Sequence, residues 1–130
     1  MGIDLDKLRA LANKRTESAL ELGKAAEYLV CADLMLNGYR AYLSDQGLPY
    51  DAVIDANGKL LRLQVKATCF TKNVNAAGRR ERVAYTWNVR KRGTQRKGER
   101  VSAKHCDIIA LVALDIRVVA YLPQALCGQT

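Results

Sequence analysis

Asn57-Gly58 lies between two runs of alternating apolar and polar residues, and this dipeptide limits the fold more than any other stretch of the chain. A two-residue hairpin loop of type I′ needs positive φ at both positions, which asparagine and glycine tolerate and most residues do not. Residues 50–67, Y-D-A-V-I-D-A-N-G-K-L-L-R-L-Q-V-K-A, therefore predict two antiparallel strands. The loop length also sets the register, with Ala56 facing Lys59, Val53 facing Arg62 and Asp51 facing Gln64. Period-two alternation places Tyr50, Ala52, Ile54, Leu61, Leu63, Val65 and Ala67 on one apolar face that needs a core beneath it. Asp51, Val53, Asp55, Leu60, Arg62, Gln64 and Lys66 fall on the other.

A carboxylate, an amide oxygen and an ammonium thus converge at one end of the hairpin. Asp51 and Gln64 are hard oxygen donors suited to Mg²⁺, and Lys66 can orient water beside a phosphate. The same D…QxK spacing also suits a solvated sheet face carrying mixed charges, and by itself does not decide between the two.

Charge narrows the choice of partner. The 130 residues carry 21 Lys+Arg against 13 Asp+Glu, a net charge of +8. Residues 79–104 hold ten basic side chains and only Glu81 and Glu99, while the rest of the chain balances. Arg79, Arg80, Arg82, Arg90, Lys91, Arg92, Arg96, Lys97 and Arg100 form a segment fitted to a polyanion, most simply DNA, or simply a solvated loop. The four cysteines, Cys31, Cys69, Cys106 and Cys127, include no CxxC pair, and with one histidine they signal neither a zinc site nor a disulfide framework. Buried thiols in a reducing, cytoplasmic setting fit better. No run approaches the ~18 apolar residues of a membrane span. The length suits one domain over residues 1–130.

Along the chain, Asp4 can cap a short helix bearing Leu5, Leu8 and Leu11, a packing or oligomer contact. Residues 16–37 predict a longer helix with Leu22, Ala26, Leu29, Val30 and Leu36 as its apolar stripe and Gly38 closing it. Glu27 shares a row of that helix with Leu20, Gly23, Cys31 and Leu34, so its carboxylate is either a plain edge residue or a functional acid. A strand is expected at 39–44, a polar loop at 71–82, and a strand at 83–89 whose Tyr85 and Trp87 suit packing. His105 reads as a surface or satisfied residue. Residues 107–114 read as a strand covered on both faces, 118–122 as another buried strand, and 124–127 as a helical turn.

This order of elements resembles the PD-(D/E)xK nuclease superfamily, and within it the branch of group I intron homing endonucleases and related phage or bacterial proteins. The resemblance rests on G-K-A-A-E-Y-L-V (23–30), G-L-P-Y-D-A-V-I-D (47–55), L-Q-V-K-A-T (63–68), C-D-I-I-A-L-V (106–112) and V-V-A-Y-L-P (118–123). Gln64 in place of the commoner glutamate is a mark of that branch. The resemblance implies an α/β, restriction-endonuclease-like core, a mixed central sheet flanked by helices. It also implies a Mg²⁺-dependent endodeoxyribonuclease in which Mn²⁺ substitutes. In that reading Asp51, Gln64 and the Val65 main-chain carbonyl hold the metal, Glu27 supports it, and Lys66 positions the attacking water. A phage or bacterial homo-oligomer, dimer or tetramer, acting on DNA would follow. A junction-resolving or repair nuclease of the same fold, a non-cleaving DNA-binding module and an RNA binder remain as alternatives.

Overall fold

The computed structural model describes residues 2, 4–7, 10, 16–74, 82–89 and 105–126. At its centre, strands β1 (Arg40–Leu43), β2 (Ala52–Ala56), β3 (Lys59–Thr68), β6 (Ile108–Ala113) and β7 (Val118–Pro123) lie side by side in that order as one mixed sheet. β3 and β6 run parallel, and every other neighbouring pair is antiparallel.

The hairpin forms in the register that its turn demands as far as Ala52: Ala56 pairs Lys59, Val53 pairs Arg62 and Ala52 pairs Leu63. The expected Asp51–Gln64 pair is not made, because the chain bends at Asp51 and its N–H turns to the Leu63 carbonyl. Asn57 and Gly58 have φ of 54° and 89°, both in the left-handed region. The Gly58 N–H donates to Asp55 Oδ1 at 2.8 Å, closing the bend. Gly58→Ala should cost about 1–2 kcal/mol, because a Cβ is strained at that φ. Thermal denaturation would read this as a Tm lower by about 3–8 °C, and an unchanged Tm would contradict the tight bend.

Helix α1 (Thr16–Leu36) lies across one face of the sheet. Ala26, Val30, Cys31 and Leu34 meet Ala52, Ile54, Leu63, Ala110 and Val112 in the main core. Full burial of side chains such as Val30 and Leu63 stabilises by about 1.5–3 kcal/mol each. The helix stops as expected at Gly38, φ 88°: the Gly38 N–H bonds the Met35 carbonyl and the Tyr39 N–H reaches back to that of Leu34, the two bonds of a Schellman end. The expected stripe needs one correction. Leu36 is 88% exposed, because at 3.6 residues per turn it lies about 200° around the helix from Leu34.

The second face carries a smaller cluster of Cys106 and Ile109, with Tyr50, Val89 and Leu111 against it. Tyr50 therefore leaves the face predicted for it. The chain bends at Asp51, and strict alternation ends there. Ala67, also placed on the apolar face by alternation, is exposed.

Three further expectations change. The loop expected at 71–82 includes a strand, β4 (Lys72–Val74), which pairs with β5 (Arg82–Ala84) in a separate two-stranded sheet. The strand expected at 83–89 ends at Ala84. Tyr85 and Trp87 stack beyond it with ring centroids 6.0 Å apart; Tyr85 Oη donates to Asp115 Oδ2 and Trp87 Nε1 to the Val112 carbonyl. They pack, as expected. β7, predicted to be buried, is an edge strand with Val118 51% exposed, since among the described residues β6 is its only partner. β6 is buried on both faces, as a central strand should be.

Asp4 accepts from the Asp6 and Lys7 N–H groups as a cap does. Cys31, Cys69 and Cys106 are buried cysteines in no disulfide among the described residues, and Cys127 lies outside these residues. Among the described residues no helix is long and apolar enough to cross a membrane.

Candidate active site

β3 has ten residues and β2 only five. The hairpin ladder ends at Ala52–Leu63, while residues 63–68 of β3 continue along β6. On the side where β2 stops, the edge of β3 opens into a cleft of about 840 Å³. Glu27, Asp51, Gln64, Val65 and Lys66 all line it. The structure thus gathers every residue of the proposed centre into one cleft.

Asp51 stands at the point of opening. Its N–H donates to the Leu63 carbonyl at 2.8 Å and its carbonyl accepts from the Ser44 N–H at 3.0 Å, so its backbone is tied on both sides. Its Oδ2 accepts the Val65 N–H at 2.8 Å, taking the place of the next ladder bond. In an extended strand a residue's N–H and C=O point to the same edge, so the Val65 carbonyl faces this opening as well.

Gln64 and Lys66 are register neighbours of Ile109 and Leu111, which puts them on the face away from α1. Gln64 Oε1 is enclosed and, among the described residues, accepts no hydrogen bond. Leaving a buried acceptor unmade costs about 1–3 kcal/mol. Asp115 Oδ1 is in the same condition, but its carboxylate has its other oxygen bonded to Tyr85.

Glu27 enters from α1. It continues the row of Cys31 and Leu34 toward the helix N-terminus, and the same row that is buried on the sheet lower down emerges here into the cleft. Its side chain is 19% exposed and accepts from Lys24 Nζ at 2.9 Å. Lys24 is a cleft residue that sequence reasoning does not single out, although its i,i+3 spacing to Glu27 is an available signal.

The electrostatics agree with this crowding. Burial pushes the Asp51 carboxyl above its usual range, the Val65 N–H opposes this, Glu27 adds to it by like charge, and the Lys66 and Lys24 ammoniums pull it back. Among the described residues no three His, Cys, Asp or Glu side chains form a metal cluster. The donors here are instead two carboxylates, an amide oxygen and a main-chain carbonyl, all hard oxygens of the kind that Mg²⁺ and Mn²⁺ accept. The unmade bond of Gln64 Oε1 and the raised Asp51 carboxyl both fit a cation at this edge.

A second brace also escapes the sequence. Asp107, just before β6, accepts from the Arg62 N–H at 2.8 Å and from its Nε and Nη2 at 3.2 Å each. Its own N–H donates to the Arg62 carbonyl. Arg62 holds the Asp107 carboxyl below its ordinary range through these bonds. The pair fixes the start of the parallel β3–β6 register and hence where Gln64 and Lys66 stand. Of the basic residues predicted to meet nucleic acid, Arg82 is in β5 and exposed. Arg79, Arg80, Arg90, Lys91, Arg92, Arg96, Lys97 and Arg100 lie outside the described residues.

No protein-family model and no curated protein matches the sequence. Among solved structures the chain is similar to a bacterial homing endonuclease, I-Ssp6803I, with a TM-score of 0.60 and 18% identity, over 81% of this chain and 68% of that one. At that identity the likeness is one of fold. The chain is a mixed α/β protein with a homing-endonuclease-like fold, and its cleft opens where β3 outruns β2.

Proposed function

We propose that this chain is a metal-dependent DNA endonuclease of the PD-(D/E)xK type. The observation that carries the reading is the open edge of β3, where Asp51 is locked onto the Val65 N–H beside an unpartnered Gln64 Oε1 and the Lys66 side chain. Asp51, Gln64 Oε1 and the Val65 carbonyl would hold Mg²⁺, with Mn²⁺ able to replace it. The bound ion would polarise a phosphoryl oxygen and lower the pKa of water. Asp51 and Glu27 supply the negative charge that attracts it, and the neutral Gln64 adds a donor without repelling phosphate. Lys66 orients the attacking water and offsets charge growing on the phosphorus.

DNA as substrate is supported by the surplus of basic residues at 79–104 and by the fold shared with an endonuclease. With one such centre per chain, cutting both strands calls for a symmetric homo-oligomer. The test is nicking of supercoiled plasmid. Nicking with Mg²⁺ or Mn²⁺ and none in excess EDTA is the expected result. Retention of DNA without cutting of plasmid, branched or single-stranded substrates would reduce the chain to a binding module.

Most nonspecific attraction is assigned to the basic segment. Replacing Arg90, Lys91 and Arg92 together by glutamine should weaken DNA binding and flatten its salt dependence by about 0.9 log unit per log unit of salt for each phosphate no longer neutralised. Filter binding across a salt series checks this. An unchanged slope would remove the segment from the interface.

A further inference from the structure

The Lys24–Glu27 pair is an oddity in a site meant for a divalent cation, because the helix carboxylate already has a cation on it. Lys24 Nζ stands 2.9 Å from Glu27 Oε2, and its side chain is 45% exposed at the cleft wall. Lys66 approaches from β3 on the other side, so Asp51 feels two separate ammoniums from two elements. The four side chains Glu27, Asp51, Lys24 and Lys66 sum to zero charge. A divalent ion among them would leave a net charge of two positive, which suits a phosphodiester that gains a second negative charge as the nucleophile adds.

Resting on the nuclease reading above, we infer that Lys24 is a placeholder for the metal and a phosphate-binding residue: it neutralises Glu27 in the empty cleft, then yields Glu27 to the metal and takes a non-bridging oxygen of the scissile phosphate. Its flexible four-carbon stem and compact charge suit such an exchange, and its exposure leaves room for the swing. The pair is weak enough to be given up, since the half-exposed Lys24 ammonium is screened by solvent and holding its long side chain in one geometry costs entropy. The pair therefore screens Glu27 without locking it. No covalent bond is made or broken in the exchange, and no proton moves.

The test uses the full-length protein and the variant Lys24→Gln, which keeps length and helix propensity; matching thermal unfolding shows that it folds. Calorimetric titration of the metal-free proteins with Mn²⁺, without DNA, should show tighter binding by Lys24→Gln, by about two- to fivefold, because a competing cation is gone. Nicking at saturating Mn²⁺ should fall about tenfold or more, because a charged hydrogen bond to phosphate is removed, and Lys24→Arg should restore much of it. Unchanged or weaker Mn²⁺ binding by Lys24→Gln would overturn the placeholder role. Unimpaired nicking at saturating Mn²⁺ would overturn the phosphate role. A wild-type protein that neither binds Mn²⁺ nor nicks DNA would bring down the nuclease reading itself, and this inference with it.

Discussion

Replacing Asp51 by asparagine is expected to abolish cleavage, about a thousandfold or more, while making the metal-free protein more stable. The loss follows from removing the carboxylate tied to the Val65 N–H at the open edge of β3; each 1.36 kcal/mol of lost transition-state stabilisation is a factor of ten, and metal-borne charge stabilisation amounts to several kcal/mol. The gain has a different origin. Burial first, and Glu27 second, raise the Asp51 carboxyl above its unfolded value. A carboxyl with a raised folded pKa favours folding only while protonated: its contribution is whole below the unfolded value near 3.8 and is lost as pH rises through the folded value. At neutral pH the ionised Asp51 is therefore a burden on the apo fold, and asparagine removes it while still offering an oxygen to the Val65 N–H. Thermal unfolding of both proteins from pH 3.5 to 8 should show curves that part as pH rises, with the variant above. Adding Mg²⁺ should raise the Tm of the wild type and leave the variant unmoved. A variant that melts lower at pH 7 in EDTA would show that the carboxylate holds the structure together and is not a site kept at the fold's expense.

Lys66→Ala carries the second largest expected effect. An ammonium preorganised beside the developing charge, once removed, typically costs about 100- to 1,000-fold in kcat. DNA retention should persist, because most of the electrostatic attraction belongs to the basic residues at 79–104. Metal affinity should not weaken, since the Lys66 charge lies near Asp51 and competes with a bound cation. Single-turnover nicking, a gel-shift titration and a Mn²⁺ titration separate the three quantities. A fall in DNA binding that matches the fall in rate would make Lys66 an anchor for DNA and not a participant in the chemistry.

The half of the site that lies on the hairpin is legible in the sequence because its cause is local. The two-residue bend at Asn57-Gly58 fixes the pairing as far as Ala52–Leu63, which brings Asp51 to the edge of β3 near Gln64 and Lys66. The last step, a bend at Asp51 and its bond to the Val65 N–H in place of the expected Asp51–Gln64 pair, is not in the alternation. Helix α1 is legible for a similar reason, its end being written in Gly38. What escapes depends on contacts between distant parts of the chain. Tyr50 changes face because the backbone bends at Asp51 to join the Ser44 loop, which period-two alternation does not contain. The apolar run of β7 reads like that of β6, yet only a sheet order tells which of two greasy strands is central and which lies at the edge. The bond from Arg62 to Asp107 spans 45 residues, and neither residue stands out until β3 and β6 are known to be parallel neighbours. Lys24 is within reach of the helix spacing rule, but its meaning depends on the cleft that Glu27 enters.

The central claim is that the edge of β3 beyond β2 is a cation site. Anomalous diffraction from a crystal soaked in Mn²⁺ tests it most directly. The expected result is one peak in the cleft within coordination distance, about 2.0–2.4 Å, of Asp51, Gln64 Oε1 and the Val65 carbonyl, and absent from an Asp51→Asn crystal treated in the same way. Manganese bound elsewhere, or a peak that survives the Asp51→Asn substitution, would contradict it.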